Sequence, residues 1–214
     1  MNQKRELEAF VFDWSGVISD DRKPVYEANM AVVEEYGKKR VSFEEWLSIT
    51  TMTPIELFGK FGIYEDDDQI LWERYEHHLT LFSKEFPPQV YPDVHDVLQY
   101  LAERGKNLAV LSSHPVKNLI REAGEYGIRD FFPHFSGTCS DKVQGLIDIC
   151  KGLQTPPQLT LYTGDTIYDI QAAIGAGVVP GGVCTGYHAR ERLQKEIPDK
   201  DFLFKNLSGL KTLV

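Results

Sequence analysis

The chain has 214 residues, of which 42% are hydrophobic and 26% charged, a balance that supports a packed core and excludes disordered, collagen-like and fibrous classes. Lys and Arg number 23 against 32 Asp and Glu, a net charge of −9, which repels nucleic acid and anionic lipid headgroups, so neither is an expected partner. A small anionic ligand would need a local cation or metal to reverse that sign.

Three cysteines, Cys139, Cys150 and Cys184, are odd in number and widely spaced, which points to buried free thiols and not to a disulfide framework or a metal knuckle. Residues Met1 to Glu8 are polar, and the longest uncharged stretch, Ile170 to Ala189, is broken by glycines and Pro180. A cytoplasmic protein without a membrane span is expected.

In chain order, the apolar run Ala9-Phe10-Val11-Phe12 ends abruptly at Asp13, and Gly16 permits a sharp turn after it, the pattern of a buried strand that delivers an acid. From Pro24 to about Pro88 the apolar residues recur at helical spacing, as in Val25, Ala28, Val32 and Val33, then Leu71, Tyr75, Leu79 and Phe82. This stretch reads as a small helical bundle. Thereafter strands and helices alternate. Val94 to Leu101 predicts a helix closed by Gly105, and Leu108 to Leu111 a strand ending at Ser112. A helix from about Pro115 to Gly127 follows, then one after Asp141. Leu159 to Tyr162 forms a strand ending at Asp165, Ile167 to Gly175 a helix, and Val178 to Cys184 a last strong strand. Such alternation predicts a doubly wound parallel α/β sheet covered on both faces, with the helical block inserted after the first strand. The expected division is a core of residues 1–20 and 88–214 and a helical cap of residues 21–87, with hinges at Asp20–Pro24 and Pro87-Pro88.

Ligands of open α/β sheets collect beyond the carboxyl ends of the strands. Asp13, Ser112 and Asp165 each terminate an apolar strand; Lys142 sits just inside a helix, and Asp169 lies one helical turn after Asp165. Three carboxylates, a hydroxyl and an ammonium therefore face one crevice. The ordered set Phe12-Asp13-Trp14-Ser15-Gly16-Val17, Leu111-Ser112, Lys142 and Gly164-Asp165-Thr166-Ile167-Tyr168-Asp169 resembles the motifs of the haloacid dehalogenase-like hydrolases, and the inserted helices resemble that family's cap. The resemblance implies an α/β hydrolase acting on a small phosphorylated metabolite through an aspartyl-phosphate. It implies Asp13 as nucleophile, Ser112, Ser113 and His114 as phosphate-binding residues, and Lys142 as the cation between nucleophile and phosphate. Mg²⁺ would be held by Asp13, Asp165, Asp169 and the Ser15 carbonyl, an oxygen-rich set suited to that ion.

One position departs from the pattern. Most phosphatases of this family carry a second aspartate two residues after the nucleophile as general acid and base, and here the residue is Ser15. Three accounts follow. A phosphohydrolase survives if the proton comes from His114, Asp20 or Asp21, or if the leaving group is acidic enough to need none. A carbon–phosphorus hydrolase would need a cap lysine, and Thr51 to Glu56 has a glutamate where it is sought, with Lys60 a turn further on. The third account is a non-enzymatic protein that binds metal or phosphate. Taken singly, several residues have plainer readings: His114 as a helix cap, Asp20 and Asp21 as solvated hinge residues, Tyr187 to Arg190 as a surface turn, Trp46 and Trp72 as cap interior. Trp14 either flanks the site or packs beneath the cap.

Overall fold

The computed structural model describes residues 6–139 and 141–214. Strand β1, Ala9–Phe12, is wholly buried, and its side chains alternate between two apolar layers, Phe10 and Phe12 on one face and Val11 on the other. A strand covered on both faces is continuously apolar for this reason. After a turn, two-residue strand β2, Ser19–Asp20, leads into α1 (Arg22–Glu35), α2 (Phe43–Ile49), α3 (Pro54–Lys60) and α4 (Asp68–Glu85), and the chain returns through β3, Gln89–Val90. There follow α5 (Val94–Ala102), β4 (Asn107–Leu111), α6 (Val116–Glu125), β5 (His134–Ser136), α7 (Lys142–Leu153), β6 (Thr160–Gly164), α8 (Ile167–Ala176), β7 (Val179–Val183), α9 (Arg190–Glu196) and β8 (Leu203–Phe204).

The main sheet has the order β5-β4-β1-β6-β7-β8, and every pairing in it is parallel. The chain builds outward from β1 on one side, then returns to build on the other, so a switch in strand order lies beside β1. Helices α5 and α6 bury Val94, Val97, Leu98, Leu101, Leu119 and Ala123 against one face, while α7 and α8 bury Leu146, Ile149, Cys150, Ala172 and Ala173 against the other. The doubly wound expectation holds. The short strands β5 and β8 were outside it. Cys150 is buried and free, but Cys139 and Cys184 are only half-buried.

Helices α1 to α4 enclose their own apolar cluster around Tyr26, Met30, Val33, Trp46, Phe58 and Leu71. Tyr26, Phe43 and Trp46 meet at ring-centroid separations of 5.3–5.5 Å, edge-on or tilted as aromatic quadrupoles prefer. Trp72 is half-buried, its indole N–H on Glu76, so it is not part of the cap interior. Side-chain oxygens of Ser42, Thr53 and Asp67 cap α2, α3 and α4, which satisfies N–H groups left open at each helix start. The two connections to the core form an antiparallel ladder, Ser19 opposite Val90 and Asp20 opposite Gln89. Among the described residues no helix is long and apolar enough to cross a membrane.

Candidate functional site

Asp13 follows β1 directly, and its N–H donates to the Thr163 carbonyl at 2.9 Å, so the parallel pairing with β6 carries through to the acid. The chain then turns tightly. Gly16 adopts φ +75°, and the Trp14 carbonyl accepts from Ile18 N–H at 2.8 Å and Ser19 N–H at 2.9 Å. The Trp14 side chain points down into the core, its indole N–H on Glu122 at 2.8 Å and its ring stacked on Tyr126, so it does not flank the site.

Asp165 follows β6. Asp169 is fixed at the start of α8 by a reciprocal capping box with Thr166, the geometry that satisfies two exposed helix N–H donors at once. One Asp169 oxygen also accepts from Tyr162 at 3.0 Å. Lys142, the first residue of α7, lies between two acids, 3.1 Å from Asp13 Oδ2 and 2.6 Å from Asp169 Oδ1. Asp13, Asp165 and Asp169 each offer an oxygen within 4.8 Å of the others, and all three are buried.

Burial works against this concentration of charge. It pushes the Asp13 carboxyl up to about 6, with Lys142 pulling back and Asp169 adding to the rise. Burial, then the charges of Asp169 and Asp13, raise Asp165 well above the usual carboxylate range. Asp169 is equally buried, but Lys142, Thr166 and Tyr162 hold its carboxyl below the ordinary value. Burial disfavours the Lys142 ammonium too, yet Asp13 and Asp169 outweigh it and keep the lysine charged.

With all three carboxylates ionised, the one ammonium would leave two negative charges uncompensated, the charge of one divalent cation. Asp165 points the same way. Its Oδ2 accepts the Tyr187 N–H at 2.6 Å, while its Oδ1 is buried without a hydrogen-bond partner among the described residues. Two glycines make room for it: a Cβ on Gly16 would lie 2.4 Å from Asp165 Oδ2, and one on Gly186 only 1.9 Å. An unpartnered carboxylate oxygen in an all-oxygen cluster fits a hard cation such as Mg²⁺.

Ser112, after β4, is buried, and its hydroxyl accepts the His114 N–H at 3.3 Å. Ser113 is exposed. Helix α6 starts without a side-chain cap; the His114 ring instead lies against Ser15, Nε2 to Oγ 3.1 Å. Ser15 Oγ donates to Asp21 Oδ2 at 2.6 Å, and the Tyr187 phenol donates to Asp21 Oδ1 at 2.7 Å. Asp21 is therefore no solvated hinge residue: it is 8% exposed and faces the site. Asp20 does stay at the hinge, paired with Arg22 at 2.7 Å.

The segment after β7 is the largest correction, because it is not a surface turn. Tyr187 reaches both Asp165 and Asp21, and its ring meets Trp46 of the cap at 5.8 Å. His188 is 2% exposed, its Nδ1 accepts Ile167 N–H at 3.0 Å, and burial followed by Arg192 holds its imidazole down at about 4. Sequence reasoning missed Tyr162, Thr166, Gly186, Tyr187 and His188 as site neighbours. The Thr166 to Asp169 spacing of a capping box was the one signal available.

Comparisons with known proteins fit this arrangement. The family model described as haloacid dehalogenase-like hydrolase matches residues 10–183. The chain is 23% identical to the phosphoglycolate phosphatase of Synechococcus elongatus, over 90% of this chain and 91% of that one, and 26% identical to that of Pseudomonas putida, over 88% and 73%. Its fold is similar to that of a haloacid dehalogenase-like hydrolase from Streptococcus pneumoniae, with a TM-score of 0.81 at 17% identity over 97% of this chain and 98% of the other. A match across most of the chain, on a parallel sheet whose strand ends gather these acids and this lysine, makes the protein a member of the haloacid dehalogenase-like hydrolase family.

Proposed function

We propose that this hydrolase is a Mg²⁺-dependent phosphatase for a small phosphorylated metabolite, working through an aspartyl-phosphate on Asp13. The observation that carries the reading is the Lys142 ammonium set between Asp13 and Asp169, beside a third acid, Asp165, with an unpartnered oxygen. Two similar proteins named phosphoglycolate phosphatase support it. In the same reading, residues 1–20 and 88–214 form the catalytic core and residues 21–87 a cap that closes over it.

Attack by a carboxylate on a phosphoryl group brings like charges together, so positioning and neutralisation supply most of the catalysis. Asp13 is fixed by the strand that ends at it and forms the bond to phosphorus. Lys142 neutralises the nucleophile and the phosphoryl oxygens, and the Ser112 hydroxyl holds one of those oxygens. Asp165, Asp169, Asp13 and the Ser15 carbonyl would hold Mg²⁺, which when bound supplies charge neutralisation at the phosphoryl group. Attack of water on phosphorus then breaks the bond to the aspartyl oxygen and returns Asp13, so one hard displacement is split into two easier ones.

Carbon–phosphorus cleavage is not favoured. Lys60 is exposed and its ammonium donates to the Ile49 carbonyl at 2.8 Å. The test of the phosphatase reading is release of inorganic phosphate with Mg²⁺ and with chelator, joined to trapping of a hydroxylamine-sensitive phosphoenzyme. Turnover that persists in chelator, or in Asp13→Asn, contradicts it.

A further inference from the structure

The phosphatase reading leaves one step without an owner. The leaving oxygen departs from phosphorus with an electron pair, and it must either take a proton or leave as an anion. Position 15 holds a hydroxyl whose hydrogen is already committed: Ser15 Oγ donates to Asp21 Oδ2 at 2.6 Å. The other Asp21 oxygen accepts the Tyr187 phenol at 2.7 Å, so Asp21 is an acceptor through both oxygens. Because a serine hydroxyl has a single hydrogen, His114 Nε2, 3.1 Å from Ser15 Oγ, must be the donor in that contact. That N–H is thus directed at Ser15 Oγ. Lys142 is engaged by Asp13 and Asp169, and in the phosphatase reading the Ser112 hydroxyl donates to a phosphoryl oxygen. The hydrogens of Ser15, Tyr187 and His114 Nε2 thus have acceptors within the protein.

We infer that the substrate carries its phosphoryl group on a weakly basic leaving group, as in an acyl phosphate or phosphoanhydride, which departs as the free anion. The inference rests on the phosphatase reading and narrows its substrate class. In the first step an Asp13 oxygen bonds to phosphorus while the bond from phosphorus to the leaving oxygen breaks, its electron pair staying on that oxygen, and no proton moves. Water then attacks the same phosphorus, releases a proton to solvent, and returns Asp13 with inorganic phosphate. An alkyl ester needs a proton at the first step, and the lack of an acid there costs about 10²–10⁴ in rate.

The test is kcat/KM of the protein with Mg²⁺ for acetyl phosphate, p-nitrophenyl phosphate, phenyl phosphate and an alkyl phosphate such as phosphoglycolate. This quantity reports the first displacement and is blind to hydrolysis of the shared intermediate. The values should fall steeply as leaving-group basicity rises, with acetyl phosphate ahead of the alkyl phosphate by about 10²-fold or more. Ser15→Asp should raise the alkyl-to-acetyl ratio by about 10–100-fold, and His114→Gln should leave that ratio where it is. A flat series in the unmodified protein overturns the inference whether or not Ser15→Asp folds. So does a collapse of the ratio in His114→Gln, which would assign the proton to His114. Failure to turn over any of the four compounds overturns the phosphatase reading itself, a result distinct from a flat series.

Discussion

The core and the cap are held together by different physics. At the strand ends, Asp13, Asp165 and Asp169 are buried within 4.8 Å of one another, an arrangement that raises the energy of the folded protein unless a cation balances it. The cap has no such concentration. Its inner surface is aromatic and aliphatic, with Tyr26, Trp46 and Phe58 buried, and its charges pair at the rim, as Lys23 and Arg40 do with Glu27. Such exposed pairs contribute little to stability. The core therefore carries strain that serves chemistry, while the cap carries packing that serves shape.

That contrast makes opposite forecasts for two substitutions. Asp13→Asn should reduce turnover by roughly 10⁴-fold or more, the scale on which loss of a nucleophile acts. Its melting temperature in chelator should hold or rise, since burial and Asp169 already disfavour the charge that is removed. Trp46→Ala should do the reverse. Trp46 is 1% exposed, and truncating a buried tryptophan costs about 3–5 kcal/mol, yet well below its lowered midpoint the variant should keep measurable turnover. If Trp46→Ala instead abolished turnover while remaining folded, the separation of chemistry from shape would be lost.

Much of the core could be read from sequence, because a strand buried on both faces is a continuous apolar run and the polar residue that ends it stands out. Asp13, Ser112 and Asp165 were singled out this way, and Lys142 and Asp169 by their order relative to them. The edge strands β5 and β8 have three and two residues, too short for any periodicity to show. Asp21 was misjudged because Arg22 and Lys23 beside it suggest a solvated run, whereas Arg22 pairs with Asp20 and Asp21 turns inward. Tyr187 and His188 lie in a loop between β7 and α9, where side-chain direction follows from tertiary contacts alone. His114 precedes a proline at a helix start and looks like a cap, but its backbone N–H is taken by Ser112 and its ring by Ser15.

The balance between acids and cation can be probed through protons. The folded Asp13 carboxyl lies near 6, above its ordinary 3.8, so between those values the native protein holds a proton that the unfolded chain has released. In chelator, the contribution of Asp13 to stability therefore falls as the pH rises through about 6. Mg²⁺ bound as proposed would need the ionised carboxylates and would compete with that proton. At a hundredfold excess over Kd it should stabilise the protein by about 2.7 kcal/mol at neutral pH, and the gain should shrink as the pH drops below about 6. A Mg²⁺ response in melting temperature that is equal on both sides of that value would remove protons on the acid cluster from the account.

Tyr187 offers the smallest and most local test, since it belongs to both regions. Its ring packs against Trp46 in the cap cluster, its backbone N–H holds Asp165, and its phenol holds Asp21. Tyr187→Phe keeps the first two contacts and removes the third. Loss of a hydrogen bond to a charged acceptor costs about 1.5–3 kcal/mol, and a correspondingly lower melting temperature is expected. The Mg²⁺ response should survive, because the donor to Asp165 is main chain. With one donor gone, Asp21 would rely on Ser15 alone, and the Ser15 hydroxyl would be held more firmly by Asp21 than before. The alkyl-to-acetyl ratio of kcat/KM should therefore stay low. A rise in that ratio together with an unchanged melting temperature would mean that the phenol restrains a proton donor at this site instead of simply completing the shell of Asp21.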